Sequence, residues 1–198
     1  MERSAGLTSI DVIADALEPL TPAVSRLSSP DGALTLMLSD IADAEALAST
    51  LGEEDWNRLV SDHHLLVGQV VAHHDGTVVK VERDGFLATF NSAHGGLHAA
   101  LELQRTFASP AELPKERTLT LRIGMHSGFV ISSSEELLGR NVVLAARIAA
   151  FAHGGQILVS STLKEYTESD PTFEFEPLGA QHFKGVLGEH ELYAVRWN

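Results

Sequence analysis

The chain has 198 residues, 44% hydrophobic and 21% charged, with no cysteine and 14 Lys plus Arg against 27 Asp plus Glu, a formal charge of −13. This length predicts one domain with room for an extra segment, and the missing cysteines exclude a disulfide framework, a zinc–thiolate site and a thiol nucleophile. The acidic excess argues against nucleic-acid binding, which rests on Lys and Arg at phosphates, and any phosphate-rich ligand would need its cations gathered locally. No apolar run reaches the roughly 18 residues of a membrane span. The start, MERSAGLTSIDVIADALEPL, mixes acids into its apolar positions, unlike a signal peptide. A soluble, cytoplasmic protein with no membrane contact is the expectation.

In chain order, TSIDVIADALE at 8–18 sets Ile10, Val12, Ile13 and Leu17 at roughly helical spacing behind Thr8 or Ser9 as cap. Pro19, Pro22, Pro30 and the turn cluster SSPDG follow. Residues 1–30 therefore read as an N-terminal arm with one helix, serving docking, dimerisation or cover for the core. ALTLMLSD at 33–40 is a continuous apolar run ended by Asp40, the pattern of a buried central strand. ADAEALASTLG predicts a helix stopped by Gly52. EEDWNRLVSDHHLLVGQVVAHHDG predicts a longer one, with Trp56, Leu59, Val60, Leu66, Val67, Val70 and Val71 on its apolar face.

After the Asp75-Gly76 turn, TVVKV and FLATF predict a hairpin, and SAHGGLHAALELQRTFA a helix weakened by two early glycines. A proline-containing loop at 109–116 leads into a long strand, TLTLRIGMHSGFV. ISSSEELLGR reads as a polar, flexible connection, NVVLAARIAAFA as a helix ended by Gly154-Gly155, and QILVS as a short strand. FEFEPLG, HFKGV and ELYAVRW predict three more strands. This order predicts an α/β sandwich: a mixed, mostly antiparallel sheet carrying helices on one face.

Asp40 and Asp84 each sit at a strand end. In a β-α-β-β unit those ends can be neighbours, forming an oxygen-ligand pair suited to Mg²⁺ or Mn²⁺. The plainer reading is a helix cap and a turn residue. Lys80, among valines, reads on its own as a lysine snorkelling from a strand edge, and Arg147 as a helix-surface arginine paired with an acid. Ser132-Ser133-Ser134 lacks the glycine elbow of a serine nucleophile. His63-His64 and His73-His74 lie roughly 80° apart around a helix and read as two solvated pairs.

Five segments in register resemble one family: LTLMLSDIADAEALASTLG, VVKVERDGFLATF, LRIGMHSGFV, GRNVVLAARIAAFAHGGQILVS and FKGVLGEHELYAV. They are similar to the catalytic domain of class III nucleotidyl cyclases, bacterial adenylyl cyclases above all, from about residue 33 to 196. The resemblance implies a ferredoxin-like βαββαβ core in a domain spanning 31–198. It also implies production of a cyclic nucleotide and pyrophosphate from ATP or GTP, at the interface of a head-to-tail homodimer or of a heterodimer with another cyclase domain. Asp40 and Asp84 correspond to the family's ligands for two Mg²⁺ or Mn²⁺ ions, and Lys80 to the lysine that reads adenine. Glu136 falls at the second base-reading position, Arg147 at the transition-state arginine and Lys184 at the triphosphate lysine.

The departures bear on activity. Val143 stands where the family has the ribose-positioning asparagine, and Asn141 lies about 200° around the helix from it. Ala42-Asp43-Ala44 lacks the glycine of the phosphate-binding turn, and Arg83 replaces the glycine before Asp84. Two expectations follow: an adenylyl cyclase slowed by Val143, or a degenerate domain that binds nucleotide or pairs with a competent cyclase without turnover.

Overall fold

The computed structural model describes residues 8–15, 33–109, 118–129 and 135–198, with the backbone alone for 14–15 and 135–138. The proline-punctuated stretch 16–32, most of the loop expected at 109–116, Ser132–Ser134 and the Glu136 side chain lie outside the described residues. The described residues form α1 (Ser9–Asp15), β1 (Ala33–Ile41), α2 (Ala44–Leu51), α3 (Glu53–His73), β2 (Gly76–Glu82), β3 (Gly85–Phe90) and α4 (Ala93–Ala108). They continue through β4 (Leu121–Phe129), α5 (Glu135–Phe151), β5 (Ile157–Ser160), α6 (Ser161–Thr167), β6 (Phe175–Gln181) and β7 (His190–Val195).

One seven-stranded sheet runs in the order β2-β3-β1-β4-β5-β7-β6. Only β4 and β5 are parallel, and α5 is the crossover that parallel neighbours require. The sheet is therefore mixed and mostly antiparallel, as the sequence predicts. β1 is central and almost wholly buried, as its unbroken apolar run implies.

Helices cover both faces, not one. Alternation along β1 is the reason: Leu34, Leu36 and Leu38 pack with Ile10 and Ile13 of α1 and with α5. Met37 and Ile41 pack the other way, with α3, α4, Phe86, Phe90 and Phe107. A central strand apolar on both sides needs cover on both sides. Each of these fully buried side chains contributes about 1.5–3 kcal/mol.

Two local expectations give way, and one helix was not foreseen. Helix α5 begins at Glu135, inside the stretch read as a flexible connection. HFKGV is a turn, with Gly185 at φ 82°, so the tail has two strands. STLKEYT forms α6, capped by the Ser160 hydroxyl accepting from the Leu163 amide. That cap is visible in the sequence, but the preceding β-strand run masks it.

Candidate functional site

At the C-terminal end of β1, Asp40 is 2% exposed and pairs in register with Arg122 of β4. The Arg122 Nε donates to Asp40 Oδ1 at 2.8 Å, and its second guanidinium nitrogen donates to Oδ2. This fork-to-carboxylate pairing is the strong form of an ion pair. Burial nevertheless pushes the Asp40 carboxyl up to about 6; Arg122 opposes the rise, and Asp84 and Asp11 add to it.

Asp84 ends the β2–β3 turn at the same end of the sheet and is 6% exposed. Its Oδ2 accepts from the Ile41 amide at 3.2 Å, which ties it to the residue after Asp40. Its Oδ1 accepts from the Ser9 hydroxyl at 2.5 Å. The two aspartates are thus neighbours, as their strand-end positions predict.

The turn explains Arg83. Its φ is 53°, a left-handed conformation that glycine adopts without cost. Asp43 is left-handed as well, at φ 55°. Two positions where the family pattern carries or favours glycine therefore keep the glycine backbone without the glycine.

Lys80 is half-buried and lies opposite Leu87, which puts it on the α1/α5 face, the face of Asp40. A bulge between Val78 and Lys80 sets that direction. Arg147 of α5 faces the same side, and its guanidinium reaches the Asp11 carboxylate of α1 at 3.4 Å. Helix α5 lies close on β4 because of Gly124, where an added Cβ would fall 2.1 Å from the Ala149 nitrogen.

Lys184 is not brought to this cluster. It lies exposed in the turn between β6 and β7, at the opposite edge of the sheet and at the end away from Asp40. Four strand steps separate β3 from β7, about 19 Å at the usual spacing. Asn141 is engaged elsewhere: its Oδ1 meets His126 Nε2 at 3.2 Å and its Nδ2 donates to the Phe129 carbonyl at 3.1 Å. His126 Nδ1 in turn meets the Ser160 hydroxyl at 2.8 Å.

The histidine pairs split. His63 is fully buried between Phe86 and Phe107, and burial lowers its pKa to about 3. It lies four residues from both Leu59 and Val67, on the apolar stripe of α3, so it is not a solvated histidine. His73 is exposed, as expected.

A family model described as the adenylate and guanylate cyclase catalytic domain matches residues 28–196. The chain belongs to this class III nucleotidyl cyclase family. It is 31% identical over 170 residues to a putative adenylate cyclase 3 of Rhizobium meliloti, covering 81% of this chain and 28% of that protein. It is 34% identical over 140 residues to an uncharacterized protein of Mycobacterium tuberculosis, covering 70% and 46% respectively. The chain thus spans less than half the length of these relatives. An adenylate/guanylate cyclase/hydrolase structure from Silicibacter pomeroyi superposes with a TM-score of 0.68 at 26% identity, covering 82% of this chain and 95% of that one.

Cyclase domains of this family generally use divalent metal ions. The donor set here fits such ions: two neighbouring buried carboxylates offer hard oxygen ligands, each with acceptor capacity beyond the bonds it makes. Among the described residues no helix of this cyclase-family chain is long and apolar enough to cross a membrane. The sequence reading overlooked Arg122, Ser9 and Asp11. Only the pairing of β1 with β4, across 82 residues, reveals Arg122. Asp11 is marked locally only as the capping partner of Thr8, and nothing local marks Ser9.

Proposed function

We propose that the chain is an adenylyl cyclase that converts ATP to cyclic AMP and pyrophosphate, with residues 31–198 as the catalytic unit and residues 1–30 as an arm. The sharing of Asp40, Asp84, Lys80 and Arg147 by one sheet face, with Lys184 at the far edge, carries this reading. One chain does not bring Lys184 to the carboxylates, which lie three and four strand steps away and at the other end of the sheet. A second copy, placed head to tail, supplies it.

In this reading Asp40 and Asp84 hold Mg²⁺ or Mn²⁺, which would neutralise the triphosphate and favour the attacking 3′-hydroxyl. Lys80 and Glu136 meet the adenine edge. Arg147 stabilises negative charge on the oxygens of the reacting phosphate, and Lys184 holds the triphosphate. The 3′-hydroxyl gives up its proton to solvent, and its oxygen bonds to the α-phosphorus as the bond to pyrophosphate breaks. Val143 offers no hydrogen bond to ribose and Asn141 is already committed, so turnover is slow, by about 10²–10³ for one lost positioning donor.

Purified protein with ATP and Mn²⁺ should yield cyclic AMP, and Asp84→Ala should abolish it. Product no higher than in Asp84→Ala would overturn the reading. The committed Asn141 also favours a second reading, a degenerate module that binds nucleotide or pairs with another cyclase domain. Val143→Asn separates them: a large gain from a near-zero rate indicates that decayed module, and little change from a measurable rate indicates another route to positioning ribose.

A further inference from the structure

Where α3 ends, His73 and His74 face Glu102 of α4, on the side of the sheet away from the carboxylate pair. His74 Nε2 lies 2.8 Å and His73 Nδ1 3.6 Å from the same Glu102 oxygen, and all three ligand atoms lie within 4.8 Å of one another. Ligands at the corners of a zinc tetrahedron stand about 3.4 Å apart for bonds near 2.05 Å, so these separations bracket the required spacing. His74 is mostly shielded, and His98 of α4 stacks on its ring.

The close approach is built into the sequence. Gly95 starts α4 against the α3 terminus, and a Cβ there would crowd the His74 carbonyl at 3.1 Å. We propose that His73, His74 and Glu102 form a site for a transition-metal divalent cation, Zn²⁺ by its imidazole–carboxylate set, with water as fourth ligand. This site is chemically distinct from the all-oxygen pair at Asp40 and Asp84. Since His74 leads directly through Asp75 into β2, the ion would clamp the root of the β2–β3 hairpin to α4.

Zn²⁺ titration of the full chain carrying Asp84→Asn, which cripples the carboxylate pair, tests the site. One equivalent should bind, Co²⁺ should give an intense tetrahedral visible spectrum, and thermal unfolding should shift upward. His73→Ala with His74→Ala, or Glu102→Gln alone, should weaken binding about tenfold or more. No Zn²⁺ binding, or binding unchanged by these substitutions, overturns the proposal.

A separate observation concerns the arm and rests on reading Asp40, Asp84 and Arg147 as nucleotide-site residues. Ser9 occupies Asp84, and Asp11 sets a carboxylate where Arg147 would meet phosphate. Ile10 and Ile13, both 0% exposed, seat α1 on Leu36, Leu38 and Leu87. Gly85 makes room: a Cβ there would lie 2.7 Å from the Ser9 Cβ. We infer that α1 is an autoinhibitory plug, its serine competing for the metal carboxylate and its aspartate imitating a phosphate, on the face where the second copy would dock.

The full chain, Asp11→Ala, and Ile10→Asp with Ile13→Asp should be titrated with a fluorescent ATP analogue and Mn²⁺ alongside hydrogen exchange of β1 and β3. Both variants should bind at least about fivefold tighter, and the double variant should speed exchange. Wild-type binding that the variants leave equal or weaken overturns the plug alone. Faster exchange with no nucleotide bound by any form overturns the nucleotide-site reading, and the plug with it.

Discussion

The two faces of the sheet draw on the same strands and are built differently. Toward α3 and α4, Met37, Ile41, Phe86, Phe90 and Phe107 form a continuous apolar layer whose main polar intruder is His63. Toward α1 and α5, Leu34, Leu36, Leu38 and Leu87 make a smaller apolar patch ending in Asp40, Arg122, Asp84 and Arg147. The first face holds the fold. The second keeps charges close together, and part of its cover is the short helix α1. A strand can serve both because alternate residues answer to different neighbours.

The sharpest way to break the contrast is Phe86→Ala, which should cost about 3–5 kcal/mol in urea unfolding. Leu87→Ala, one residue along on the α1 face, should cost less, about 2–3 kcal/mol. Equal losses would mean that α1 seals its face as firmly as α3 and α4 seal theirs. Next comes Arg122→Ala, which strands a buried carboxylate and should cost about 3 kcal/mol at pH 7. Arg122→Ala combined with Asp40→Asn should recover much of that loss.

The buried histidines, His63 toward α3 and α4 and His126 toward α5, titrate in the opposite sense to Asp40. His63 is held neutral down to about 3 and His126 to about 4, while the unfolded chain protonates both near 6.5. Their contribution is complete above 6.5 and is lost as pH falls, at about 1.4 kcal/mol per unit for each histidine. Asp40, raised to about 6, takes up its proton first in the folded state, so its contribution grows as pH falls from 6 toward 3.8. Unfolding curves between pH 4 and 6.5 should therefore flatten in His63→Leu and steepen in Asp40→Asn. The smallest effect expected is from Arg83→Gly, which relieves a left-handed arginine and should stabilise by about 1 kcal/mol. Destabilisation there would show that the Arg83 side chain holds the turn.

Much of this architecture is legible in the sequence because it is local. The unbroken run of β1, the Asp75-Gly76 turn and the glycine stop at Gly52 announce themselves within a few residues. The adjacency of Asp40 and Asp84 follows from strand order. His63 was legible too, since Leu59, His63 and Val67 share a helix stripe; comparing the histidine pairs with each other hid it. The partners were not legible. Arg122 reaches Asp40 through β1–β4 pairing, and Ser9 reaches Asp84 across 75 residues, through folding alone. HFKGV has strand composition, yet the turn around Gly185 decides its shape.

The bulge at Val78–Lys80 has a consequence for colloidal behaviour. β2 is an outer strand, and its sequence, Thr77-Val78-Val79-Lys80-Val81, would without the bulge and the lysine be a flat, valine-rich ribbon with open backbone donors and acceptors. Such a ribbon templates strand addition and fibre growth, and a bulge with a charge set into it blocks a matching register. Lys80→Val should therefore leave a folded protein that aggregates through this edge at high concentration, seen as thioflavin-positive material absent from wild type.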